Sequence, residues 1–330
     1  MRLFLPSFGW LLAMLLFFNC VDFSRPEQAV VRVESTLTVA SNRAPVMRSK
    51  DFGQTWESAS GDLPTDVQAS FLEPIGAKIL LASDNRGLFL SNEDQSQWVS
   101  IGEGLPYEKI NALHVVGERI YVGVYRAGIF RSDDFGKSWE ALNYDLPDLH
   151  VQAIFQGSEH LFVGTDSGIF RLAPASEHWV LSSVLSQILS IYQRSGKMVA
   201  GSSQGTLISK DQGMSWDWIH QAGAVHYTHP IRDRMVELLL NGDVIYSDDW
   251  GQSWSMVDYQ PREDSYVYEI VQVGSVQLIS NNYGIHRSAD QGQTWNLVYP
   301  TEEMAFFDLL PLGTVVYGGT RAWDEYRKRQ

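Results

Sequence analysis

The side chains best suited to chemistry in this sequence are a set of recurring aspartates, a few arginines, two close histidines and one thiol. Asp51, Asp134, Asp211, Asp249 and Asp290 each stand third in the same octapeptide, S-x-D-x-G-x-[ST]-W. Its last residue is Trp56, Trp139, Trp216, Trp254 or Trp295. A carboxylate repeated in this way can serve as half of an acid–base pair, or it can accept hydrogen bonds from the backbone of a tight turn. Pair chemistry on a glycosidic bond needs two carboxyls roughly 5–10 Å apart. His226 and His229 stand three apart with His220 nearby. On a strand, positions i and i+3 face opposite sides, which disfavours a shared metal and predicts packed or solvated histidines. No twelve-residue calcium loop occurs, and no metal or cofactor site is expected.

The elements that must carry these groups follow from the tryptophans. Trp98 and Trp179 complete the series, so that seven tryptophans recur at intervals of 37 to 42 residues. Their two octapeptides are worn: Glu93 and Gln95 replace the Asp and Gly before Trp98, and only the Trp survives at Trp179. Within the box, Asp and Ser cap nearby amides, Gly takes a positive φ, and Trp turns inward at the start of a return strand. Around each box lie four short strand-like runs with turn residues between them. In the third repeat these are Ile110–Val116, Arg119–Val124, Gly128–Arg131 and Trp139–Leu142. A period of about 40 residues with four strands per unit predicts a β-propeller.

The octapeptide resembles the Asp-box, or bacterial neuraminidase repeat, of the β-propeller superfamily that includes sialidase-like and photosystem II assembly factor-like propellers. The resemblance spans residues 27–330, expected to form one all-β propeller domain of four-stranded antiparallel blades. Glu27 to Ser41 aligns with Val151 to Thr165, so the first repeat is expected to own its strand a. That gives seven full repeats to about residue 300. Phe306–Leu310 and Thr314–Gly318 then form a remainder, either an eighth incomplete blade or a hairpin added to one of seven.

The resemblance places every box in a turn between the two outer strands, c and d, away from the b–c turns where propellers bind ligands. The five aspartates are therefore expected to be structural and spread around a rim. A sialidase also requires three arginines, a Tyr–Glu nucleophile pair and an acid Asp. The family's Phe-Arg-Ile-Pro signature is absent, with Arg43-Ala44-Pro45 its nearest match. The sialidase-type glycoside hydrolase is the alternative reading. The two-propeller endoglucanases that share the box need roughly twice this chain.

Arginine is scarce enough for its placement to carry information. The chain has 330 residues, with 25 Lys+Arg against 39 Asp+Glu and a net charge of −14. Such a field repels phosphate backbones and excludes a general nucleic-acid binder. Yet Arg43, Arg86, Arg126 and Arg321 fall within a position or so of one another in the b–c loops of adjacent repeats. They are expected to form a positive arc for a carboxylate, a phosphate, a glycan or an acidic protein segment. The competing reading is local pairing with acids such as Asp84 and Glu103. The photosystem II assembly factor family, exported and of similar size, implies a non-catalytic binding scaffold, here expected to be monomeric.

Cys20 is the only cysteine. It ends a leader, residues 1–20, with Arg2 ahead of an apolar run, too short to span a membrane comfortably. This resembles a bacterial lipoprotein signal whose cysteine is acylated, although Phe17-Phe18-Asn19 stand where small residues are usual. An ordinary secretory leader and an uncleaved anchor are the alternatives. A linker at 21–26 would join the leader to the propeller, and the expected location is the bacterial cell envelope.

Overall fold

A computed structural model describes residues 44–184, 187–221, 223, 225–259, 265–301 and 305–322. Cys20, Arg43 and the stretch 27–41 lie outside the described residues. The described chain forms seven four-stranded antiparallel sheets, and each inner strand packs against those of the blades before and after it. Among the described residues there is no helix. The protein is a seven-bladed β-propeller, and the seven-or-eight question is settled by the C-terminal hairpin.

That hairpin enters blade 1. From centre to rim, the blade consists of Ala305–Leu312 (strand a), Val315–Ala322 (b), Val46–Ser49 (c) and Glu57–Ser58 (d). Val46 pairs with Gly319 and Ser49 with Val316, so the two ends of the chain close the ring through one ladder. The expectation that Glu27–Ser41 supplies strand a of the first repeat is thereby corrected: that place is filled from the other terminus. The remaining blades each use one continuous stretch, beginning at Ala69, Ile110, Val151, Ile188, Val225 and Val267 for blades 2 to 7.

Burial explains the strand sequences. Strand b is covered on both faces by neighbouring blades, so it reads as a continuous apolar run: Ile79 to Ser83 in blade 2 and Leu161 to Thr165 in blade 4 are buried throughout. Strand d is the rim, short and exposed in blades 1 and 3. Packing between blades also demands a small residue late in strand b. A Cβ on Gly164 would come within 2.5 Å of Ile188, which opens strand a of the next blade. A larger side chain there would push the blades apart.

The tryptophans join neighbouring blades. Trp139, Trp179 and Trp216 donate their Nε1–H to Ile101 O (2.9 Å), Leu142 O (2.6 Å) and Ser182 Oγ (3.1 Å) on the preceding blade. Trp98 and Trp179, the pair with worn boxes, are 7% exposed, whereas the other five are half-buried. All seven indoles are thus turned inward, to different depths. Where the box retains its Asp and Gly, the compact hairpin tip leaves one side of the indole open.

Candidate functional site

Because the strands alternate in direction, the b–c and d–a connections share one end of the ring and the c–d turns share the other. All five full boxes occupy c–d turns, and their geometry is uniform. In the third repeat, Ser132 Oγ donates to Asp134 Oδ1 at 2.8 Å and accepts from the Gly136 amide at 2.8 Å. Ser138 donates its amide to Asp134 Oδ1 at 3.0 Å and its hydroxyl to Oδ2 at 2.6 Å. The Ser138 bonds, with further ones from Ser132, hold the Asp134 carboxyl down at about 2. Asp51, Asp211, Asp249 and Asp290 fall to about 2 under equivalent bonds, which at Asp51 outweigh an opposing cost of burial. Gly136 has φ 80°, but so does the preceding position take the left-handed region: Phe135 has φ 61°, and Gln212 and Trp250 do likewise. With both carboxyl oxygens engaged in its own turn, each aspartate is a clamp.

On the opposite end, the predicted arginines serve different purposes. Arg86, in the b–c turn of blade 2, donates from Nη2 to Asp66 Oδ2 at 2.5 Å and from Nε at 3.0 Å. Arg126, in the b–c turn of blade 3 with φ 54°, is exposed and lies over the Tyr125 ring at 5.1 Å. Arg321 departs from the expectation of an exposed loop cation. It is 4% exposed at the end of strand b, 3.5 Å from Asp84 Oδ2 and from Ser70 Oγ, with its guanidinium over Tyr268. Asp84 is thus a partner of Arg321, on the next blade. The arc resolves into one surface ion pair, one exposed cation and one buried wall residue.

That wall residue adjoins a group absent from the sequence reading. Strand a of blades 6, 7, 1 and 2 carries Tyr227, Glu269, Asp308 and Glu73, which stand close enough to feel one another's charge. Two of the carboxylates bridge blades: Glu269 Oε2 accepts from the Leu309 amide at 2.5 Å, and Asp308 Oδ2 from the Leu72 amide at 2.7 Å. Tyr227 keeps 37% of its surface exposed. Burial raises Asp308 to about 7 against the pull of the Leu72 amide and Arg321. Burial, then repulsion from Asp308, raises Glu73 to about 8. Glu269 is pushed well above the carboxylate range, first by burial and then by Asp308. At neutral pH the cluster can hold protons and present both donors and acceptors to a polar or cationic group. The available sequence signal was an acid inside an apolar inner strand, as in Phe307-Asp308-Leu309 and Tyr268-Glu269-Ile270.

His229 sits inside the protein, its Nε2 2.6 Å from Ile270 O, and burial lowers it to about 4. Its partner in the sequence pair, His226, has no described side chain. Among the described residues no three of His, Cys, Asp and Glu gather as a metal site.

Comparison with known proteins agrees with this architecture. The BNR-Asp box repeat model matches residues 129–142. No curated protein matches the chain. Among solved structures, YCF48 bound to D1 peptide is similar at a TM-score of 0.62 with 15% identity, covering 85% of this chain and 97% of that one. YCF48 from Cyanidioschyzon merolae gives 0.63 with 14% identity, covering 78% and 97%. The GH74 enzyme of Niastella koreensis gives 0.57 with 13% identity, covering 76% of this chain but only 43% of the enzyme. Repeats, strand order and likeness coincide: the chain is a seven-bladed β-propeller with Asp-box turns in five of its blades.

Proposed function

We propose that this propeller is a non-catalytic scaffold that binds an extended acidic segment of a partner protein across its b–c face. One observation carries the reading: the loops that carry exposed Tyr107 and Arg126 form a hydrogen-bonded strip over blades 2 and 3, with exposed Glu103 and Glu108 beside them. The Gly87 amide donates to Glu108 O at 2.8 Å and the Tyr125 amide to Lys109 O at 3.0 Å, so the d–a loop lies between the two b–c turns. Tyr107, 57% exposed, and Arg126 project from this strip. Arg86, Leu105 and Tyr107, together with Glu103 and Glu108, line a shallow groove of about 310 Å³ there. Tyr and Arg are the residue types that dominate protein-binding hot spots. The likeness to a YCF48 that holds a peptide supports the same use of the fold.

The test is a fluorescence-anisotropy titration with a labelled Asp/Glu-rich 15-residue peptide. Binding should weaken at least about tenfold in Tyr107→Ala/Arg126→Glu and fall with added salt, because exposed charges steer association but contribute little to stability. Equal affinity in wild type and variant at unchanged Tm would refute the site. The glycosidase alternative draws on the group of Tyr227, Glu269, Asp308 and Arg321. Against it, Glu269 and Asp308 each spend an oxygen on a neighbouring blade's backbone. Hydrolysis of a sialoside or xyloglucan, abolished by Glu269→Gln, would overturn the binding reading in favour of catalysis.

We also infer export and acylation at Cys20, with the propeller held at the bacterial cell envelope as a monomer. The support is the order of the leader: Arg2, an apolar run, then a cysteine that occurs nowhere else. Multiple acyl chains anchor firmly where one alone binds marginally.

A further inference from the structure

The strip over blades 2 and 3 is not uniformly basic, and its charges are sorted by position. At the blade 2 end, Arg86 donates both Nε and Nη2 to Asp66 Oδ2, so its charge is cancelled locally. The groove beside it is lined by Glu103 and Glu108, both exposed. Neither carboxylate forms a hydrogen bond or an ion pair among the described residues. Glu108 adds to the negative field that Arg86 feels. Over blade 2 the strip therefore presents two uncompensated carboxylates.

One residue further along the same loop the sign reverses. Lys109 Nζ lies 4.3 Å from the centre of the Tyr125 ring, and the Arg126 guanidinium lies 5.1 Å from it. A single aromatic ring thus gathers two cations at the b–c turn of blade 3. The Tyr125 amide donates to Lys109 O at 3.0 Å, which ties that turn to the loop. Arg126 is exposed, and it alone among the described arginines has neither a hydrogen bond nor an ion pair. Every other one is bound to a carboxylate or to a backbone carbonyl. Its charge is the one left for a partner.

Like charges set against each other across an interface cost affinity, and opposite charges fix its register. A segment made only of acids is attracted at blade 3 and repelled at the groove. A segment of mixed sign is attracted at both. The net charge of −14 adds to this preference, because it repels an all-acid chain at a distance. We infer that the partner segment is polarised, with a basic residue over the blade 2 groove and an acidic residue over Lys109 and Arg126. Such polarity presupposes that the b–c face is a peptide site, and it confines the acids of the segment to one end. Glu108 and Lys109 are adjacent in sequence, so the reversal falls within the reach of one short peptide. Tyr107, 57% exposed in the same loop, offers its ring to the aliphatic stem of the basic residue.

Fluorescence anisotropy on the intact chain, with four labelled 15-residue peptides, tests this. One peptide carries a lysine block and an aspartate block, and a second carries the same residues in alternation. The third has aspartate in both blocks and the fourth has lysine in both. At low salt the two-block peptide should bind at least about fivefold more tightly than each of the others. In Glu103→Gln/Glu108→Gln the all-aspartate peptide should overtake it. In Arg126→Gln the two-block peptide should weaken at least about threefold while the all-lysine peptide does not. All three positions are exposed, so the melting temperature should stay within a few degrees. In the wild type, an all-aspartate peptide that binds as tightly as the two-block one would overturn the polarity and leave the peptide site standing. An alternating or all-lysine peptide that binds as tightly would overturn it too. If none of the four binds, the peptide site itself falls.

Discussion

Trp179→Ala is the most informative single change, because it separates the tryptophan from its motif. The fourth repeat has lost every other box residue, so a motif-based view ranks Trp179 last among the seven. The structure ranks it near the top. Trp179 is 7% exposed, packs in the group containing Ile154, Leu161, Phe170 and Leu172, and donates to Leu142 O at 2.6 Å on blade 3. Truncating a buried Trp removes its apolar contacts and leaves a cavity, at a cost of about 3–5 kcal/mol. At about 2–4 °C of Tm per kcal/mol for a domain of this class, the melting point should drop by roughly 6–20 °C. Trp179→Phe keeps most of the ring but loses the donor, and should cost about 1 kcal/mol for the hydrogen bond plus a smaller packing loss. Trp216→Ala, at a half-buried site with an intact box, should cost less than Trp179→Ala. Urea unfolding of the three variants with a common m-value provides the comparison. A loss under about 1 kcal/mol for Trp179→Ala, or a larger loss for Trp216→Ala, would refute the argument that burial between blades, not box integrity, sets each tryptophan's contribution.

The pH profile of stability should peak on the acidic side, near pH 5. The box aspartates, held at about 2 against an ordinary 3.8, stabilise above the ordinary value and lose this contribution as pH falls below about 4. Asp308 and Glu73, raised to about 7 and 8, act in the opposite sense: the fold is favoured while they keep their protons and weakens as pH rises through those values. Melting curves from pH 3 to 9 should show both limbs, and Asp308→Asn should flatten the alkaline one; a profile rising steadily to pH 8 contradicts this account. Asp134→Ala should lower the urea midpoint and accelerate amide exchange at Gly136 and Ser138 while leaving peptide binding intact; lost binding would give the box a role in recognition. Cys20→Ser should shift the protein from the membrane fraction to the soluble fraction or stall it as a precursor; unchanged mass and fractionation would remove the anchor from the reading.

Periodicity and turn chemistry were legible in the sequence because they are local. An Asp two residues after Ser and two before Gly satisfies its own turn, so Asp51, Asp134, Asp211, Asp249 and Asp290 announced five hairpins without help from the rest of the chain. The tryptophan spacing then set the size of a blade, and the count of strands per period set the architecture. Three matters depended on contacts between residues far apart in sequence. Ring closure was one: Glu27–Ser41 and Ala305–Ala322 both carry the pattern of inner strands, and only the ladder from Val46 to Ser49 selects the C-terminal hairpin for blade 1. The fate of the arginines was another. Arg86 and Arg321 share a loop pattern, but one meets Asp66 at the surface while the other is buried beside Asp84, Ser70 and Tyr268 on neighbouring blades. The carboxylates of the inner strands were the third. Glu269, Asp308 and Glu73 are single acids in unrelated strands, and only the circular arrangement brings inner strands together, where crowding and burial raise those acids in a way that no local pattern encodes.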